Sequence, residues 1–235
     1  MCRQRSLAQQ YDNRLRLLPA MAATVVMAAH SAVDPGPAAP PRTEFVPPAA
    51  GTYVLQHIQR AADGVLLDRF GRLRHLSTFT HGKITLLTFF YTYCADPVGC
   101  PLAYTVLSNL RERLSAQQDL RSAVRFVSVS LDPTNDTPAA ISQYGALVAA
   151  DPHFEWRFLT ARSVSDLLPL LDDFGQDVSI ETDGYGRPTR TLHHLLKVFL
   201  IDRQGVVREI YSLAFLQPEV IFNDIRTLAM EPRVR

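Results

Sequence analysis

Apolar positions in this chain alternate between short continuous runs and stretches where they recur every three or four residues. ITLLTFFY (residues 84–91) is a run rich in β-branched and aromatic side chains, as expected of a strand buried on both faces. Beyond it, Pro101 suits a first helical position, and Leu102, Val106, Leu110 and Leu114 follow at helical spacing. VRFVSVSLD (124–132) predicts the next strand, and Thr137-Pro138 caps and opens a helix to about residue 150. WRFLT (156–160) predicts a short strand, and residues 163–174 a helix closed by Gly175. LLKVFLID (195–202) predicts another buried strand, turning through Arg203-Gln204-Gly205 into VVREIYS (206–212), with a final helix over 218–230. Upstream, AADGVLLDRFGRLRHL (61–76) resembles a short N-terminal β-hairpin turning near Asp68–Gly71. Strands alternating with helices, then a hairpin and a helix, predict an α/β domain: a mixed β-sheet flanked by helices.

The first 50 residues differ in character. Arg3, Arg5, Arg14 and Arg16 lead into the apolar stretch LLPAMAATVVMAA (17–29) and then small residues, the pattern of an export signal. Residues 1–32 therefore read as a signal peptide, or as an N-terminal membrane anchor if they are retained. Residues 33–50 hold six of the sixteen prolines and read as an extended, semi-rigid tether. The folded domain is assigned to 51–235. At 47% apolar and 20% charged residues, neither a disordered chain nor a multi-span membrane protein fits. A net charge of +1 gives no reason to expect a nucleic-acid partner. The eleven glycines form neither GxGxxG nor a P-loop, so nucleotide binding has no support.

Of three cysteines, Cys2 belongs to the export segment, which leaves Cys94 and Cys100. Cys94 falls just past the end of a buried strand and Cys100 directly before a helix, the sheet edge where open α/β folds bind ligands. The helix N-terminus favours thiolate, the form that binds soft metals and attacks disulfides. In an oxidising compartment the pair can be a disulfide, a metal site, or both in turn. His57, His75, His81 and His153 sit singly in polar or turn contexts and read as surface residues. His193-His194 stands directly before a central strand; in a thioredoxin-like topology the loop there faces the cysteine corner. Two thiolates and one imidazole suit copper(I), and the nitrogen also accommodates copper(II), whereas zinc normally asks for a fourth ligand.

Three ordered blocks resemble the Sco/SenC family of thioredoxin-fold copper proteins: GKITLLTFFYTYCADPVGCP (82–101), VRFVSVSLDPTNDTPAAISQY (124–144) and HHLLKVFLIDRQG (193–205), with WRFLT between the last two. The resemblance implies a thioredoxin-like mixed sheet, with Cys94, Cys100 and His194 as copper ligands; His194 matches because it lies five residues before Phe199. It further implies a copper chaperone delivering copper to the dicopper CuA site of cytochrome c oxidase or a related cuproprotein, in the periplasm or anchored at the outer face of the cytoplasmic membrane. The chain departs from the family pattern twice. Five residues rather than three separate the cysteines, and His193 stands where aspartate is usual. A second function class is a thiol–disulfide oxidoreductase cycling Cys94 and Cys100 as a redox pair to keep partner cysteines reduced. Its cues, CxxC and a proline immediately before the following strand, are absent, the nearest proline being Pro188.

Overall fold

The computed structural model describes residues 46–94, 96, 99–146 and 153–232. The expected export segment, the tether up to residue 45 and the expected end of the 138–150 helix lie outside them.

An eight-stranded sheet forms the centre, in the order β1 (Gln59–Arg60), β10 (Val206–Ser212), β9 (Lys197–Ile201), β4 (Ile84–Phe90), β5 (Val124–Ser130), β6 (Trp156–Thr160), β2 (Val65–Asp68), β3 (Leu73–His75). β4, β5 and β6 are mutually parallel, and β9 runs antiparallel to β4. The sheet is therefore mixed, as its strand pattern predicts. Every residue of β4 is buried, and alternate side chains enter opposite cores. Ile84, Leu86 and Phe90 join one core; Leu87, Phe89 and, just beyond the strand, Tyr91 join the other. This explains a continuous apolar run in place of an alternating one.

Helices cover both faces. α2 (Gly99–Ser115) lays Leu102, Val106, Leu110 and Leu114 on the first core, alongside α3 (Gln118–Ala123), α4 (Pro138–Tyr144) and α6 (Pro218–Met230). α1 (Ser77–Thr80) and α5 (Val164–Asp173) close the second core with Phe79, Leu167, Leu170 and Leu171. The capping signals act as the sequence suggests. Thr137 Oγ1 accepts from the Ala140 N–H at 3.3 Å, Ser163 Oγ accepts from the Asp166 N–H at 3.2 Å, and Gly175 takes φ +58° after α5.

The structure departs from the sequence reading at two places near the site. α2 begins at Gly99, so Cys100 lies within its first turn and not before it. His193 and His194 lie on a strand and not in a loop: β7 (Val178–Thr182) and β8 (Pro188–His194) form a separate two-stranded sheet, pairing Ser179 with His193 and Val178 with His194. The arm turns through Asp183-Gly184-Tyr185-Gly186, where Asp183 Oδ1 accepts from the Tyr185 and Arg187 N–H groups and Gly186 takes φ +76°.

Candidate functional site

The corner beyond the C-terminal end of β4 is tied down before the first cysteine is reached. Asp136, 1% exposed, sits in the loop after β5 and accepts hydrogen bonds from the Thr92 N–H, from the Thr92 hydroxyl and, at 2.6 Å, from the Ser130 hydroxyl. One buried carboxylate thus holds the backbone two residues before Cys94 against the neighbouring parallel strand. Cys94 itself is half-buried against the second core. Cys100 is carried by α2, whose apolar side is embedded in the first core. The Asp96 carboxylate lies against Gly99 at the helix start.

Cys94 and Cys100 are joined by a disulfide, with their Cα atoms 6.7 Å apart. Five intervening residues therefore still allow the two sulfurs to meet. With the sulfurs bonded to each other, no cluster of three or more His, Cys, Asp or Glu side chains is arranged to hold a metal among the described residues. The structure shows the oxidised form of the pair.

The β7–β8 arm closes the other side. A cavity of about 1000 Å³ opens between them, lined by Cys94, Cys100 and Asp96 from the corner and by Leu192, His193 and His194 from β8. Tyr91 fastens the arm: its buried hydroxyl donates to the Leu192 carbonyl and accepts from the Leu192 N–H, both at 3.3 Å. Its ring meets the His194 ring edge-on, with centroids 6.1 Å apart. Gln176, also buried, donates to the Leu195 carbonyl at 3.0 Å, beside His194. His193 is exposed and His194 half-buried. Burial lowers the His194 pKa, against smaller upward pulls from the Leu195 carbonyl and the Asp96 charge. The neutral, metal-ligating form of the ring is thereby favoured.

All three residues expected from the sequence thus line one cavity, with His193 beside them, while His57, His75, His81 and His153 stay outside it. Asp136, Tyr91 and Gln176, which position the parts, were not singled out from the sequence.

Fold and site together define a thioredoxin-like domain with a cysteine pair at the strand-to-helix corner and a histidine facing it. The SCO1/SenC family model matches residues 61–230, and the chain belongs to that family. Solved structures with the same fold include Bradyrhizobium japonicum ScoI with copper bound, at 24% identity and TM-score 0.57, covering 71% of this chain and 98% of that one. A SCO1/SenC family lipoprotein from Bacillus anthracis aligns at 23% identity and TM-score 0.60, covering 73% and 95%. BsSco, described as a member of the Sco family of cytochrome c oxidase assembly proteins with a disulfide switch, aligns at 20% identity and TM-score 0.55, covering 76% and 99%. A search among curated proteins found no match. No helix of the described residues is long and apolar enough to cross a membrane.

Proposed function

We propose that this protein carries copper, binding it through the reduced Cys94 and Cys100 thiolates and the His194 imidazole, and hands it to the CuA site of cytochrome c oxidase or a related cuproprotein. The observation that carries this reading is the convergence of these three side chains on one cavity. Copper is the cargo, and a donor set of two sulfurs and one nitrogen suits its monovalent ion, with the nitrogen also acceptable to copper(II). ScoI holding copper and BsSco in oxidase assembly, both from the same family, support the reading. Uptake begins with reduction. A partner dithiol supplies two electrons and two protons to the Cys94–Cys100 disulfide and is itself oxidised to a disulfide. Copper then displaces the thiol protons. Export, by a cleaved signal or with residues 1–32 retained as an anchor at the outer face of the cytoplasmic membrane, places the domain where oxidation and reduction of the pair can alternate. The Bacillus anthracis lipoprotein is a precedent for anchoring within the family.

The observed disulfide also supports a second reading, a thiol–disulfide oxidoreductase that keeps partner cysteines reduced. Copper(I) titration of the reduced protein against a colorimetric chelator separates the two. Copper carriage predicts stoichiometric binding. Cys94→Ser, Cys100→Ser and His194→Ala should each weaken it by more than the roughly 10–100-fold typical of residues outside the ligand set, with His193→Ala milder. If His194→Ala binds copper like the parent while either serine variant abolishes reduction of insulin disulfides, copper carriage is wrong and the oxidoreductase reading stands.

A further inference from the structure

The N-terminal hairpin presents a second surface at the end of the sheet opposite the cysteines. β2 runs antiparallel to β6, which is parallel to β4, so the turn after Asp68 emerges beside the N-terminal half of β6. Cys94 lies past the other end of β4. The turn is tightly made: Asp68 Oδ1 accepts from the Phe70 and Arg72 N–H groups at 2.9 and 3.0 Å, and Gly71 takes φ +73°. At its tip Phe70 is 65% exposed and Leu73 58%. All three residues of β3, the outermost strand, are exposed.

Arg69, Arg72 and Arg74 surround these apolar groups and take part in none of the ion pairs of the described residues. Instead Arg69 and Arg72 lie over the Phe70 ring at 4.8 and 5.4 Å, and Arg74 over Phe79 at 5.6 Å. Arg157 on β6 adds a fourth guanidinium, paired to Glu155 at 3.0 Å. Asp68 is the acid within this group, and one of its oxygens is already engaged by the turn.

We propose that this hairpin tip docks on an anionic phospholipid surface, with Phe70 and Leu73 entering the headgroup boundary and Arg69, Arg72 and Arg74 meeting the lipid phosphates. Exposed apolar side chains interleaved with uncompensated guanidiniums make up an interfacial contact. The patch spans only residues 69–75, far short of the 20–30 residues a side that a stable protein–protein interface engages. A bilayer demands no such area and no matching shape. Docked in this way, the domain turns its cysteine corner away from the lipid. The hairpin surface shares no residue with the cysteine cavity, and its docking does not depend on copper carriage.

Phe70→Trp in the full chain provides the test, because it reports the hairpin alone and not the N-terminal segment. The native Trp156 is buried and donates to Ser128 Oγ, so it gives a constant background. Vesicles containing phosphatidylglycerol should blue-shift the new tryptophan, and brominated acyl chains should quench it; vesicles of phosphatidylcholine alone should do neither. Adding Arg69→Gln, Arg72→Gln and Arg74→Gln should lower partitioning about a hundredfold, at roughly fivefold per charge. The corresponding lysine substitutions should retain most of it. Emission unchanged by anionic vesicles overturns the proposal. So does a shift of equal size in phosphatidylcholine, or one that survives the glutamine substitutions. A response to soluble polyglutamate with none to vesicles overturns it in favour of an acidic polypeptide.

Discussion

Asp136→Ala tests whether a buried carboxylate, and not the cysteine loop itself, holds the site in place. The substitution removes the acceptor of three donors at once: the Thr92 N–H, the Thr92 hydroxyl and the Ser130 hydroxyl. A hydrogen bond to a charged group contributes about 1.5–3 kcal/mol, and a buried donor left unpaired costs about 1–3 kcal/mol. The three share one acceptor, so their losses do not add, and water entering the vacated space recovers part of the rest. The expected destabilisation is about 3 kcal/mol. With a urea m-value of about 2 kcal/mol/M, that lowers the unfolding midpoint by roughly 1.5 M. Asp136→Asn should fall about half-way, because its amide keeps one accepting oxygen but turns an NH₂ toward groups that are themselves donors. The assay is equilibrium urea unfolding of the oxidised protein, so that the disulfide is common to all variants. The same samples should show faster reduction of Cys94–Cys100 by a small dithiol, since Thr92 lies two residues from Cys94. A midpoint shift below about 0.5 M in Asp136→Ala, near 1 kcal/mol, would refute the reasoning, because the carboxylate's desolvation would then cancel its bonds.

Two further predictions concern the frame. Arg208, 2% exposed, donates to Asp202, Glu231 and the Leu55 and Gln56 carbonyls, at distances from 2.7 to 3.0 Å. Arg208→Ala should cost about 4 kcal/mol by leaving Asp202 buried and unpaired; a melting temperature equal to the parent's would show that the cluster contributes nothing. Burial alone would raise the Glu155 pKa, but the Lys83 hydrogen bond, the Arg125 charge and the Arg157 hydrogen bond outweigh it, and the folded-state value is lowered. Its stabilisation is therefore present above the unfolded value of about 4.3 and lost as pH falls through the lower folded value. Urea midpoints of Glu155→Gln measured from pH 6 downward should flatten that part of the acid limb, and an unchanged acid limb would contradict the assignment.

Much of the fold was legible because burial leaves a direct trace in the pattern of apolar residues. β4, β6 and β10 and the apolar face of α2 follow from runs and spacings alone. The β7–β8 arm left no such trace: its residues are exposed or half-buried, so no apolar alternation was imposed on them. β1 has two residues, and α3 buries only Leu120, too little for a period to show. The cysteines were legible as chemistry, since few other roles put two thiols at a strand-to-helix corner. The position of His194 came from topology and family resemblance, and its strand setting needed the structure. Asp136 resembled an ordinary turn residue in DPTNDTP; its role depends on a hydrogen bond across 44 positions of sequence that no local pattern encodes.

The unequal anchoring of the three proposed ligands bears on how copper would leave. Cys100 rides on a 17-residue helix packed into the core, and Cys94 follows a backbone held by Asp136. On the proposed function, both sulfurs would therefore stay close neighbours after reduction. His194 hangs from a two-stranded arm outside the main sheet, fastened beside the site by the Tyr91 hydroxyl and by Gln176. These are ordinary hydrogen bonds, each contributing about 1 kcal/mol, beside the partial packing of Val178 and Leu192 on the second core. Displacing Cys100, by contrast, means disturbing a helix packed into the first core, and displacing Cys94 means breaking the buried network around Asp136. On the proposed function, an incoming ligand from the recipient would displace the imidazole first and leave copper held by two thiolates. That order lets transfer proceed one bond at a time without unfolding any part of the core. On that reading Tyr91, at the end of β4, would help set how readily the third ligand lets go, by holding Leu192 two residues from His194.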